Sequence, residues 1–353
     1  MLHSKNSLPA GAGWLATAAA AAGTALWVAA RARKARREHP PRGKTLHVDG
    51  VRLHYVMRGE GRPVVLLHGN VVTLDDFQAS GLIDRLARNH QVVAFDRPGF
   101  GHSERPHDRD WTPAAQAQLL QRACAALGLE RPVVVGHSMG ALVAVLMGLN
   151  SPFRVGGLVL LGGYYFPTLR WDAMMTAPVA WPVVGGVLRH TVTALTARAM
   201  LDQTIKAMFA PNPVPEGFLK TVPRELLVRP SQLRASAEDA SFMMPQARAA
   251  ARRYDELRLP VTVVAGTADP VVKLEAHAER LHRQLPQSTL VALQGTGHMS
   301  HHARTGEVLA AIEEMSASLS RPAAPSAAAP AAVPGEARSV SPGPALAAQA
   351  SSD

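Results

Sequence analysis

Apolar and polar positions alternate with a period of two through "TLHVDGVRLHYVMRG", on either side of Asp49-Gly50, and this pattern predicts a β-hairpin. Downstream the pattern changes. "PVVLLHG" (Pro63 to Gly69) and "QVVAFD" (Gln91 to Asp96) are short unbroken apolar runs between turn residues, as expected of strands buried on both faces. Between them, "LDDFQASGLIDRLARN" places apolar residues at helical spacing. The order continues with helix "PAAQAQLLQRACAALGL", strand "PVVVG", helix "MGALVAVLMGLN" and strand "VGGLVLLG". Strands and helices in this succession predict an α/β fold with a doubly wound, mainly parallel sheet.

From Tyr164 to Asp255 the alternation stops, and Met, Trp, Pro and Arg replace any sustained strand-like run, which predicts a helical cap inserted at residues 164–255. Strand and helix then resume in "PVTVVAG", "KLEAHAERLHRQL", "STLVALQG" and "TGEVLAAIEEMSASL", so residues 45–320 are expected to form one domain. Residues 321–353 are rich in Pro, Ala and Ser. Such a tail buries too little surface to offset its ordering entropy and is expected to be disordered.

Residues 1–44 read as an N-terminal anchor and basic linker. Leu8 to Ala30 is a run of 23 residues without a charge, about 34 Å as a helix at 1.5 Å per residue and long enough to span a bilayer. Trp14 and Trp27 lie toward its ends, and "RARKARR" follows. By the positive-inside rule this predicts a single-pass membrane anchor with the N-terminus outside and the catalytic domain in the cytoplasm. The run is mostly Ala and Gly, so a cleaved signal peptide and a surface-lying helix fit the same composition.

Charge supports this picture. The net charge is +10, but residues 1–45 hold eight Lys and Arg against Glu38 alone, which places +7 of it there. A basic cluster beside an apolar run suits a membrane flank, whereas nucleic acid calls for a basic stripe interleaved with aromatics, so no nucleic-acid partner is expected. Cys124 is the only cysteine, which excludes an intrachain disulfide and a thiolate metal cage. No histidine or carboxylate spacing argues for a metal, and no cofactor is expected.

One pentapeptide makes a chemical demand. "GHSMG" places Ser138 between an apolar strand and an apolar helix, and the pattern G-x-S-x-G at such a junction forms a sharp elbow that pushes the serine out of the backbone. Gly136 and Gly140 spare the turn two Cβ atoms, while the helix beginning at Met139 aims its N–H groups at the reacting carbonyl. A hydroxyl needs a base, and the base needs an orienting carboxylate. Asp269 lies just beyond the strand "PVTVVAG", and His298 just beyond the strand "STLVALQG".

With these residues in place the chain resembles the α/β-hydrolase fold superfamily, in the cap-bearing branch that includes esterases, C–C bond hydrolases, epoxide hydrolases and haloalkane dehalogenases. "LLHGN", "DRPGFGHS" (Asp96 to Ser103), "GHSMG" and "GTGH" each match a separate motif of that superfamily over residues 45–318. The resemblance implies Ser138 as nucleophile, Asp269 and His298 as acid and base, and the N–H groups of Asn70 and Met139 as oxyanion hole. Epoxide hydrolases and dehalogenases carry an aspartate at the elbow, so Ser138 points to acyl transfer on an ester or related bond of a small-to-medium apolar substrate.

C–C bond hydrolysis, cofactor-free perhydrolysis or haloperoxidation, and acyl transfer use the same triad. A ligand-binding scaffold without catalysis is the alternative of another class, although scaffolds of this fold commonly lose a triad member. Asn70 is expected to bond a substrate oxygen or to order its loop. Glu238 and Asp239 read as a solvated helix face, His301 and His302 as surface or pocket-lining residues, and His68 and His137 as packing residues. Aromatic and Met side chains of the cap (Tyr164, Tyr165, Phe166, Trp171, Trp181, Phe209, Met174, Met175, Met208, Met243 and Met244) suit an apolar substrate, though each taken singly is expected to pack the cap on the core.

Overall fold

The computed structural model describes residues 10–150, 154–168 and 178–320, with the first helix's side chains described from Trp14 onward. Trp171, Met174, Met175 and the tail 321–353 lie outside the described residues. Eight strands form one sheet: β1 (Lys44–Val48), β2 (Val51–Arg58), β3 (Arg62–Leu67), β4 (His90–Phe95), β5 (Val133–His137), β6 (Gly157–Leu161), β7 (Val261–Gly266) and β8 (Ser288–Leu293). Their order is β1-β2-β4-β3-β5-β6-β7-β8. Strands β1, β2 and β4 pair antiparallel, and every pair from β4 through β3 to β8 is parallel. The β1–β2 turn is Asp49-Gly50 with φ of 50° and 75°, the left-handed pair that a tight two-residue hairpin needs.

Unbroken apolar strands follow from a core on both faces. Val65 and Leu67 of β3 point into one cluster with the helices α4 (Pro113–Ala126) and α5 (Met139–Asn150), while Val64 and Leu66 point into a second. That second cluster contains α3 (Leu82–Leu86) and the last helix, Thr305–Ser318. Period two on a sheet covered on both sides makes every position apolar. The run "LDDFQASGLIDRLARN" forms two short helices, α2 (Asp75–Ala79) and α3, because Gly81 between them adopts φ 75°. Cys124 is buried in α4, and burial pushes its thiol up to about 12, so it stays a protonated, unreactive core group.

Between β6 and β7 the described chain includes the helices α6 (Pro182–His190), α7 (Val192–Phe209), α8 (Phe218–Thr221), α9 (Arg224–Leu227) and α10 (Pro230–Ala251). Tyr164, Tyr165 and Phe166 precede them and pack in the sheet's own core, as the reading of each singly expected. Phe209 joins a separate cluster in which Leu201 and Ile205 of α7 meet Val72 and Met299. The helices α11 (Ala278–Gln284), α12 (Ser300–Ala303) and α13 (Thr305–Ser318) follow β7 among the described residues. The first helix, α1 (Ala10–Glu38), absorbs the basic segment into its last turns.

Candidate active site

Strand β3 lies between β4 and β5, so the chain leaves β3 in one direction and β5 in the other. A crevice at the carboxyl ends of such strands is where open α/β sheets place ligands. Ser138 follows β5 at this point with φ 53°, a conformation that costs a non-glycine residue energy and marks a strained turn. A Cβ on Gly136 would collide with Gly140 and Ala141, and one on Gly140 with the Leu67 carbonyl oxygen. Two glycines are therefore dictated by close approach. From Pro132 to Leu149 only Ser138 reaches the surface, and every other residue is buried.

Asp269 and His298 meet beyond β7 and β8. His298 Nδ1 lies 2.8 Å from Asp269 Oδ2, while Asp269 Oδ1 accepts the N–H groups of Val271 (2.7 Å) and Val272 (2.9 Å). The carboxylate is thus fixed on three sides, and both side chains are almost wholly buried. The structure brings this pair together directly. Ser138 Oγ has no hydrogen-bond partner among the described residues.

The loop after β3 carries a second strained residue. Val71 has φ 72°, and Val72 N–H donates to Asn70 O at 2.9 Å, closing a tight three-residue turn. Asn70 spends its side chain on structure: Oδ1 accepts from Val71 N–H (2.9 Å) and Ser236 Oγ–H (2.6 Å), and Nδ2 donates to Ser236 O (3.1 Å). Of the two expected roles, ordering the loop is the one these bonds perform. Met139 opens α5, so its N–H has no helical carbonyl to meet.

Arg97, which sequence reasoning passed over, ties this loop to α10. Its fully buried guanidinium donates to His68 O (2.9 Å), Gly69 O (3.0 Å), Gln116 Oε1 (2.8 Å) and Asp239 Oδ2 (2.5 Å). Asp239 also accepts from Arg105 (3.0 Å), and Glu238 pairs with Arg105 and Arg234 at 2.6 Å each. The expectation of a solvated face at Glu238 and Asp239 is corrected here, because α10 lies with this face on the Asp96–Ser103 loop. Burial opposes the charge on Asp239, but Arg97 and Arg105 more than offset it and hold the carboxyl below its usual range.

His301 is likewise no surface residue. Asp76 lies at the centre, with His301 Nε2 and His302 Nε2 each 2.8 Å from one of its oxygens. The His137 ring fills the gap to the candidate site, with its centroid 4.8 Å from that of His298 and 4.6 Å from that of His301. Asp76, His137 and His301 could hold a metal by residue type. Both Asp76 oxygens are taken by histidines, so the cluster reads as a strut beneath His298. His68 is held neutral, its pKa lowered to about 4 by burial and by Arg97, so that Nδ1 faces Gly69 O and Nε2 accepts from Arg97 N–H.

Two predictions arise here. Asp239→Ala leaves the buried Arg97 guanidinium without a carboxylate and Arg105 with Glu238 alone, and is expected to cost about 3–5 kcal/mol, read as a lowered urea midpoint. The second concerns acid. Asp76, Asp96 and Asp239 all sit below the usual carboxylate range in the fold. Their stabilisation is complete above the unfolded value of about 3.9 and is lost as pH falls through the folded values. Asp75 acts oppositely, since burial and Asp96 raise it to about 6 and it loses stabilisation as pH rises toward that value. Thermal melts from pH 7 down to 3 should show a steep drop below about pH 4, and a constant midpoint to pH 3 would contradict the assignment.

The model of the Alpha/beta hydrolase family matches residues 64–312, spanning the sheet from β3 onward, the helical insertion and the strand-end residues above. The chain belongs to the α/β hydrolase family. This hydrolase is 29% identical over 251 residues to 2-hydroxy-6-oxononadienedioate/2-hydroxy-6-oxononatrienedioate hydrolase 2 of Pseudomonas putida, covering 70% of this chain and 85% of the relative. It is 26% identical over 274 residues to haloalkane dehalogenase 2 of Mycobacterium tuberculosis, covering 74% and 91%. Among solved structures, a thermophilic esterase from Thermogutta terrifontis superposes with a TM-score of 0.64 at 23% identity, over 78% of the hydrolase and 99% of the esterase.

Proposed function

We propose that the protein is a serine hydrolase that cleaves an ester or related acyl bond of a small-to-medium apolar substrate through an acyl-enzyme. The observation that carries this reading is a strained, surface-reaching Ser138 at the crevice where the buried Asp269–His298 pair also ends. Ser138 Oγ attacks the substrate carbonyl while His298 takes its proton. Asp269 holds the imidazole with Nδ1–H toward itself, so that Nε2 is the base, and stabilises the imidazolium as it forms. The N–H groups of Asn70 and Met139 receive the oxyanion. His298 then returns the proton to the leaving alcohol, and water, activated by the same histidine, releases the acyl group.

Apolar specificity is supported by the cap, residues 164–255, whose Leu201, Ile205 and Phe209 pack with Val72 and Met299. These last two follow Asn70 and His298 by two positions and one, so apolar packing from the cap reaches the segments that carry both residues. Hydrolysis of a C–C bond is the second reading, favoured by the Pseudomonas putida relative. A series of p-nitrophenyl esters of increasing chain length, assayed beside a 2-hydroxy-6-oxo-dienedioate, separates the two. Turnover should rise from acetate to medium-chain esters and be small on the dicarboxylate. The reverse order would replace the first reading by the second.

A further inference from the structure

Among the described residues, every large apolar side chain left exposed lies on α1 or between Trp181 and Met200. The two stretches are neighbours, since α1 packs against α6 and α9. Arg31 of α1 pairs with Glu225 of α9 at 3.1 Å, Arg198 of α7 pairs with the same carboxylate at 2.5 Å, and the Arg198 guanidinium lies 5.1 Å from the Trp27 ring centre. Val28 and Ala35 are the buried side chains of α1, whereas Trp14 to Ala20 is exposed all round. Helix α1 is thus seated by its second half and free along its first, and Trp14–Glu38 is long and apolar enough to cross a bilayer.

Helix α7 is apolar on two sides. Leu201, Ile205 and Phe209 face the cluster with Val72 and Met299, while Val192, Leu195 and Met200 are open to solvent. On α6, Val183 is 81% and Val187 59% exposed. A water-facing helix has a polar outer side, and one that is apolar there needs another covering. The covering face ends at Met200, since Asp202, Gln203 and Thr204 are exposed polar residues.

We propose that the outer face of α6 and the first half of α7 is a second membrane-contact surface, lying in the interfacial layer of a lipid bilayer beside α1. The continuity of this face with the protruding apolar helix selects lipid as the occupant. Charge agrees, because Arg33, Lys34, Arg36 and Arg37 follow the apolar part of α1 where anionic headgroups would lie. Trp181 and Trp27, both amphipathic and exposed, suit the same depth. An interfacial helix sinks about 5–10 Å into the headgroup boundary, enough to cover the valines of α6. This contact would hold the cap at the membrane surface and does not depend on the reaction assigned to Ser138.

The full-length chain is reconstituted into phosphatidylcholine–phosphatidylglycerol vesicles with a polarity-sensitive nitrobenzoxadiazole label on Val187→Cys or Leu195→Cys. Ala317→Cys serves as control, on the exposed last turn of α13 near Ser320, which bonds Arg62 at the start of β3 and so lies at the amino-terminal ends of the parallel strands, away from the carboxyl ends that Ser138 and His298 follow. Cys124 is buried and does not compete for label. The expected result is a blue shift and loss of emission with doxyl-labelled lipid at both cap positions and neither at the control. Cap labels as unquenched as the control, on protein that floats with the vesicles, would leave α1 as sole contact and overturn the proposal. So would cap labels that are blue-shifted without lipid quenching, which would assign the face to a second copy of the chain, or a full-length chain that does not float.

Discussion

Ser138→Ala and His298→Ala are each expected to lower turnover about a millionfold, Ser138→Ala with a thermal midpoint close to that of the parent chain. The two losses should be similar, because a hydroxyl without its base and a base without its hydroxyl fail at the same step, and what survives in both is oxyanion stabilisation and binding. The surface position of Ser138 makes its loss structurally mild, since the elbow's shape is set by Gly136 and Gly140. Steady-state rates on a medium-chain p-nitrophenyl ester, with far-UV melts of the same preparations, measure both halves. A Ser138→Ala chain with more than a tenth of parental turnover would remove Ser138 from the reaction.

Asp269→Asn is expected to reduce turnover about ten-thousandfold. The amide would keep the two N–H bonds from Val271 and Val272 on its oxygen and would then present an NH2 group to His298 Nδ1. That reverses the imidazole tautomer, leaving Nε2 protonated and unable to act as base. A stability effect is distinguishable, since the asparagine fills the same space and the melt should move little. Wild-type turnover in Asp269→Asn, with loss instead in Glu238→Gln, would move the orienting carboxylate into the cap.

How legible the fold and candidate site are in the sequence depends on the range of the interactions. The hairpin at Asp49-Gly50 and the strand runs at Val64 and Val133 are local patterns, and a sheet covered on both faces converts them directly into structure. The elbow is legible for the same reason: its serine and both close-approach glycines fall within five consecutive residues, although the backbone that Gly140 must clear is Leu67 of β3. Asp239 is not. Its surroundings in "ASAEDAS" are polar and small, the composition of a wet face, and only Arg97 and Arg105, more than 130 positions earlier, make burial tolerable. The burial of His301 is hidden in the same way, because Asp76, the partner of His301 and His302, lies on α2 across the fold. The side-chain role of Asn70 depends on Ser236, a partner 166 positions away. The seat of α1 on α6 and α9 likewise rests on pairs such as Arg31–Glu225, which no periodicity announces.

The central claim is that Ser138 is an activated nucleophile. Labelling the full-length protein with a fluorophosphonate and mapping the adduct by peptide mass tests it most directly. One phosphonyl group on the peptide containing "GHSMG" is predicted, absent in Ser138→Ala and strongly slowed in His298→Ala. No adduct on the folded protein, or an adduct that persists in Ser138→Ala, would contradict the account.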